Sequence, residues 1–116
     1  MTNVAKKIKY DFYCEEIISG KTKKSVLYDS DTVIAFHHTR PFYKIHIVVV
    51  PKEHILDLTA VTEKHRNLLW EIITVSKNII KNLSQNNKGI RLLTNFGEYQ
   101  DSPHLHFHIV SGDKIK

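Results

Sequence analysis

Apolar and polar positions change their rhythm along this chain, and each rhythm predicts a different element. Asp11 is placed to cap a short helix over residues 12–18, with Phe12, Ile17 and Ile18 turned inward and Gly20 closing it. Val26-Leu27-Tyr28 and Thr32 to Phe36 read as paired strands joined by the turn-forming Asp29-Ser30-Asp31. Ile45 to Val50 is apolar on both faces, the pattern of a central strand. Between residues 62 and 84 the period becomes helical, because Leu69, Ile72, Ile73, Ile79, Ile80 and Leu83 recur on one face. Thr62 caps this long helix, Glu63 complements its first turn, and Asn87-Lys88-Gly89 ends it. His65 falls on its polar side and reads as solvated, while Trp70 reads as a packing or interface residue. Ile90 to Asn95 and His104 to Val110 supply the remaining strands, giving five strands and two helices in an α+β fold.

The last strand carries the chemistry. His104-Leu105-His106-Phe107-His108-Ile109-Val110 alternates imidazole with an apolar side chain. Neighbours at i and i+2 share a strand face at roughly 6.5 to 7 Å, so the three rings occupy one small volume. Each titrates near about 6.5 in isolation, and protonating one disfavours protonating the next. A neutral imidazole is a nucleophile, and a neighbouring N–H is a donor for an anionic centre, a pairing suited to attack on phosphorus. A structural reading would bury three polar rings side by side at about 1–3 kcal/mol for each unsatisfied group. A metal site competes more strongly, since His-x-His on a strand can present nitrogens to zinc or copper. That site would need converging ligands from elsewhere, and Cys14 is the sole cysteine, so no thiolate zinc motif is present.

The same residues carry a resemblance. The run from His104 to Val110 resembles the His-φ-His-φ-His-φ-φ signature (φ apolar) of the histidine triad superfamily of nucleotide hydrolases and transferases. Ala35-Phe36-His37-His38-Thr39-Arg40-Pro41 and the stretch from Lys44 to His54 resemble that family's other recurrent segment, so the likeness spans about residues 11 to 112. It implies a five-stranded antiparallel sheet with one short and one long helix. It also implies a two-fold homodimer whose sheets join into ten strands, with the long helix and the strand near Ile90 to Thr94 at the interface.

For the site, the resemblance implies that His106 is the nucleophile, attacking the α-phosphorus of a nucleotide to form a nucleotidyl-imidazole that water then hydrolyses. His104 and His108 correspond to residues that orient it, contact phosphate oxygens and assist the leaving group, with His46 in support on the adjacent strand. Asn95, Gln100 and Ser102 fall at phosphate and substrate contacts, and Phe36, His38 and Thr39 at the nucleoside pocket. Phe12 or Tyr13 would add a stacking wall, and His54 matches a family histidine without an assigned physical role. Where the commonest family form has a ribose-binding aspartate, this chain has His38, and a neutral imidazole bonds hydroxyls less strongly than a carboxylate does. The loop from Asn95 to Pro103 also lacks extra glycine-rich residues of the best-known eukaryotic branch. Some bacterial relatives hold zinc through a nearby cysteine, but without a second cysteine Cys14 reads as a small buried helix residue.

Composition narrows the remaining classes. The 116 residues are 41% apolar, enough for one domain over residues 1–116, with residues 1–10 read as a mobile basic segment. No apolar run approaches the roughly 20 residues of a membrane span, and no signal peptide is apparent. The lone cysteine makes a reducing, cytoplasmic setting the default. The net charge is +5, and Lys6, Lys7 and Lys9, then Lys21, Lys23 and Lys24, form basic clusters. No aromatic residue is interleaved among these lysines, which argues against a nucleic-acid module.

The expected activity is therefore hydrolysis or transfer at a nucleotide α-phosphate, foremost on a purine nucleoside phosphoramidate such as an AMP conjugate, with no cofactor and no metal. Cleavage of dinucleoside polyphosphates is the second enzymatic reading, disfavoured by the short tail after Gly112. A nucleotide-binding regulator without turnover is the non-enzymatic one.

Overall fold

The computed structural model describes residues 11–20 and 25–116, so the basic clusters at Lys6 to Lys9 and Lys21 to Lys24, and the expected mobile segment 1–10, lie outside the described residues. Five strands form one antiparallel sheet: β1 (Val26–Asp29), β2 (Val33–His37), β3 (Tyr43–Pro51), β4 (Ile90–Thr94) and β5 (Phe107–Lys114), in the order β1-β2-β3-β5-β4. The apolar run around Ile45 to Val50 does sit at the centre, as β3, flanked by β2 and β5.

Both faces of this sheet are covered, and strand alternation sorts the side chains between them. Val33, Ala35, Ile47, Val49, Phe107 and Ile109 pack against Ile72 and Val75 of the long helix α1 (Arg66–Leu83). Ile34, Phe36, Val48 and Val50 face the other way, under Tyr13 and Ile17 of a short π-helix (Tyr13–Ile18). Registers Val48↔His108 and His46↔Val110 put both histidines on this second face, opposite α1.

Several expected elements take a different form. The short helix is a π-helical turn, and its buried positions are Tyr13 and Ile17, not Phe12 and Ile18, which are only half-buried. Asp11 does cap it: Oδ1 accepts the Cys14 N–H at 3.1 Å. Gly20, with φ of +83°, donates its N–H to the Ile17 carbonyl at 3.2 Å in the left-handed conformation glycine alone adopts freely. The last strand starts at Phe107 and runs on to Lys114, so His104 to His106 lie outside the ladder. Their backbone bonds go elsewhere: the Leu105 N–H donates to the Ile55 carbonyl at 2.6 Å, and the His106 carbonyl accepts from Thr94 Oγ1 at 2.7 Å.

The long helix begins later than its periodicity suggests, after a 3-10 turn over Glu63–His65. His65 is not solvated; it is only 6% exposed. Its Nδ1 accepts the Thr62 N–H at 2.9 Å and its Nε2–H donates to Glu53 at 3.1 Å. It lies in the cap and closes it, so helical phase said nothing about its exposure. At the other end Asn87 Nδ2 donates to the Leu83 carbonyl at 2.9 Å. Opposite the turn between β1 and β2, the Glu71 carboxylate accepts hydroxyls from Tyr28, Ser30 and Thr32, fastening the hairpin to α1.

The packing sets a stability test. Ile72→Ala removes a fully buried side chain between helix and sheet and is expected to cost about 2–5 kcal/mol. Trp70→Ala removes one that is 64% exposed, with an expected effect within about 0.5 kcal/mol. Urea unfolding at fixed protein concentration measures both, and equal losses would contradict this placement of the core.

Candidate functional site

The second sheet face carries a continuous row of rings. Centroid separations run 4.4 Å from His38 to His46, 5.0 Å on to His108, 4.8 Å to His106 and 4.6 Å to Tyr13. From Tyr13 the row continues 5.8 Å to His104 and 5.3 Å to His54. The three histidines of the signature therefore share a face, but the Tyr13 ring lies in contact with both His106 and His104.

Hydrogen bonds fix the proton on each ring. His106 Nδ1–H donates to the His104 carbonyl at 2.6 Å, which leaves the Nε2 lone pair uncommitted. The Phe42 N–H donates to His46 Nδ1 at 3.0 Å, so His46 carries its proton on Nε2 and donates it to His108 Nδ1 at 2.8 Å. His108 must then carry its own proton on Nε2. Among the described residues, His106 Nε2 and His108 Nε2 are both buried and without a partner. One is a free acceptor and the other a free donor, on adjacent rings.

Burial keeps these rings neutral. It pushes His46 down to about 4, helped by the charges of His38 and His106, and His108 down to about 3, helped by His106, His46 and His38. His106 is also lowered by burial, against the opposing pull of the His104 carbonyl and the Asp101 carboxylate.

A cavity of about 510 Å³ opens beside this row, lined by Phe12, Tyr13, Phe36, His38, Thr39, Arg40, Phe42, Asp101, Ser102 and Lys116. Four residues expected at the substrate are there: Phe36, His38, Thr39 and Ser102. Ser102 Oγ also accepts the Phe12 N–H at 3.0 Å, tying the loop before His104 to the π-helix. Gln100 is buried and donates its amide to the Leu56 carbonyl at 2.6 Å, so its nitrogen braces the loop. Asn95 is half-buried just beyond β4 and is not part of the cavity wall. His104 is fully buried: Nε2–H donates to the Pro51 carbonyl at 2.7 Å and Nδ1 lies 3.0 Å from Asp11. Asp101, Arg40 and Lys116 were not singled out from the sequence, because no periodic pattern marks them.

Two groups of side chains have metal-ligand character, against the expectation of none. Asp11, Cys14, His54 and His104 bring one ligand atom each within 4.8 Å of one another. Cys14 Sγ is 3.3 Å from His104 Nδ1 and 3.8 Å from His54 Nδ1, close to the about 3.3–3.8 Å between donors of tetrahedral zinc. Asp11 Oδ2 lies closer, 2.6 Å from His54 Nδ1 and 3.0 Å from His104 Nδ1, at hydrogen-bonding distance. The backbone carbonyl on His104 Nε2–H leaves Nδ1 as the ligating nitrogen, the usual support of a metal-bound imidazole. Burial and the Asp11 charge push the Cys14 thiol up to about 12, and a coordinated cation would reverse that by taking the thiolate. The Asp11 and Cys14 spacing across one turn, with His54 just after β3, is the signal that sequence reading passed over. His38, His46 and His108 form the second group. There Arg40 and Phe42 N–H groups occupy His38 Nδ1 and His46 Nδ1 at 2.9 and 3.0 Å, placing protons on the nitrogens a metal would need. That trio suits hydrogen-bond donation and not coordination.

The family model for the HIT domain matches residues 19–115. An uncharacterized HIT-like protein of Helicobacter pylori is 34% identical over 102 residues, covering 86% of this chain and 95% of its own. A HIT family hydrolase from Clostridium thermocellum is similar in structure, with TM-score 0.78 at 29% identity over 91% of this chain and 93% of its own. A histidine triad nucleotide-binding protein from Candida albicans gives TM-score 0.74 at 26% identity, covering 90% and 76%.

Two measurements probe the site. His46 and His108 are neutral when folded but gain protons near 6.5 when unfolded, so the unfolded state binds more protons in acid. Stability should be full above pH 6.5 and fall as pH drops through the interval toward 4, where a flat urea midpoint would count against their burial as neutral rings. Metal-free protein is expected to take up one equivalent of Zn²⁺ with proton release, and Cys14→Ser and His54→Ala should each weaken uptake by about tenfold or more. Undiminished uptake in both variants would remove the four-ligand assignment.

Proposed function

Taking as premise that this chain belongs to the HIT domain family, we propose that it is a nucleotide hydrolase or transferase working through a nucleotidyl-histidine intermediate on His106. The observation that carries this reading is the juxtaposition of two unpartnered nitrogens, the His106 Nε2 lone pair and the His108 Nε2–H. The lone pair attacks the α-phosphorus, a P–Nε2 bond forms, and the bond to the leaving group breaks with its electrons going to the departing amine, which takes up one proton from solvent, the equivalent of the proton that the attacking water later gives back. Water then adds to phosphorus and releases the nucleoside monophosphate and His106.

Negative charge on the phosphoryl oxygens meets an aimed donor at each stage. His108 Nε2–H supplies one, held in its tautomer by His46 and, behind it, the Phe42 N–H. Ser102 retains its hydroxyl hydrogen for another, since Oγ uses only a lone pair toward Phe12. His104 acts through its carbonyl, which orients the nucleophile, and Gln100 acts by bracing the loop. A cation held by Asp11, Cys14, His54 and His104 would fix the His104 backbone in place; the reaction itself is assigned to imidazoles and hydroxyl. Phe12, Phe36 and Phe42 give the cavity an apolar portion for a base.

The substrate class that fits is a purine nucleoside phosphoramidate, with one nucleoside in one cavity. A two-fold dimer accompanies this reading: β4 is an edge strand whose Leu92 is 40% exposed, and Ile73 of α1 is 37% exposed.

Incubation with an amine phosphoramidate of AMP should release AMP and, after acid-free quenching, show a nucleotidyl adduct by mass spectrometry. His106→Ala should lower turnover by at least about 10³-fold while AMP still binds. Wild-type turnover in that variant would refute the nucleophile. Sedimentation at micromolar concentration should give twice the monomer mass.

A further inference from the structure

The cavity wall beside the ring row has an unusual charge for a pocket that takes an unmodified sugar. A phosphate seated between His106 and His108 puts the attached sugar next along the row, where His38 follows His46, its ring nearly parallel to that of His108 at 22° and 6.1 Å. Two vicinal hydroxyls are best gripped by a carboxylate, which accepts both hydrogens. His38 cannot do that. Its Nδ1 lone pair is taken by the Arg40 N–H at 2.9 Å, so its free nitrogen, Nε2, carries a proton and only donates.

Two cations share this wall. Arg40 and Lys116 both line the cavity, and their charges join burial in keeping His38 unprotonated. The Ile115 N–H donates to the Phe42 carbonyl at 2.8 Å, which carries Lys116 to the rim, with Nζ 5.9 Å from the Phe42 ring centre. That ring in turn lies 6.0 Å from His38. Asp101 is the cavity's one carboxylate among the described residues, and it also acts on His106 and Tyr13. Two cationic side chains, Arg40 and Lys116, thus meet the Asp101 carboxylate on a wall that also carries the His38 donor.

We infer that the nucleotide this chain takes carries a second phosphate on its sugar, on the 2′ or 3′ oxygen, received by His38 Nε2–H, Arg40 and Lys116. This rests on the nucleotide reading above and names its substrate class. A phosphate monoester is acceptor-only and dianionic, matching a donor flanked by a guanidinium and an ammonium. Dinucleotide-binding folds make the same distinction, using an acidic residue for the free hydroxyl and an arginine for the 2′-phosphate.

Calorimetric titration with AMP, ADP, adenosine 2′,5′-bisphosphate and adenosine 3′,5′-bisphosphate tests it. One bisphosphate is expected to bind about 10- to 100-fold more tightly than AMP, the equivalent of one or two charge-assisted hydrogen bonds. ADP, with the extra charge at the other end, should show no such gain. In the Arg40→Ala/Lys116→Ala double variant, both residues being exposed and outside the core, the bisphosphate advantage should fall to near parity with AMP. AMP binding as tightly as both bisphosphates overturns this inference alone, as does an equal gain for ADP or an undiminished advantage in the double variant. Failure of all four to bind overturns the nucleotide reading together with it.

Discussion

One backbone carbonyl, that of His104, decides which nitrogen of His106 carries the proton. By accepting the His106 Nδ1 proton it forces the lone pair onto Nε2, the nitrogen that faces His108 across the ring row. Everything around it serves that bond. The His104 ring is held by the Pro51 carbonyl, the Leu105 N–H is tied to Ile55, and the His106 carbonyl is held by Thr94. Because these residues lie outside the β-ladder, such ties replace the strand pairing that would otherwise set their position. At the other end of the row the Phe42 N–H does the complementary job, and proton positions on three rings, His106, His46 and His108, follow from two main-chain groups.

The sheet makes this affordable in energy because it separates its duties by face. The α1 side is an apolar cluster running from Val33 to Ile109. The opposite side mixes Ile34, Phe36, Val48 and Val50 with histidines that have partners for most of their nitrogens. Buried polar atoms are costly only when unpaired; of the four unpaired among the described residues, Thr74 Oγ1 and Ser76 Oγ lie on α1, and the two in the ring row, His106 Nε2 and His108 Nε2, are those the proposed reaction uses.

The sheet and its central strand were legible because strand and helix periods differ and β3 is apolar on both faces. The shared face of His104, His106 and His108 was legible from alternation alone. What escaped was set by main-chain partners with no sequence period. His65 reads as polar surface by helical phase, yet it closes a cap. Gln100 and His104 read as substrate contacts, yet the Leu56 and Pro51 carbonyls claim their donors. Tyr13 was read, as an alternative to Phe12, as a stacking wall; the structure places it as the ring between His106 and His104, buried from a π-helical turn. Asp11, Cys14, His54 and His104 converge from three separate stretches, a meeting that only tertiary structure reveals.

The Glu71 carboxylate, with hydroxyls from Tyr28 of β1 and from Ser30 and Thr32 of the β1–β2 turn, bears on the edge of the sheet. Burial raises its proton affinity, but bonds from Ser30, Thr32 and Tyr28 outweigh that and hold it below the usual carboxylate range. Those bonds are made to an anion, so protonating that one group weakens all of them together. β1 is an outer strand with every side chain exposed, the kind of margin on which foreign chains polymerise. Glu71 therefore fastens that margin to α1 through a single carboxylate, so the attachment of the whole hairpin depends on one charge.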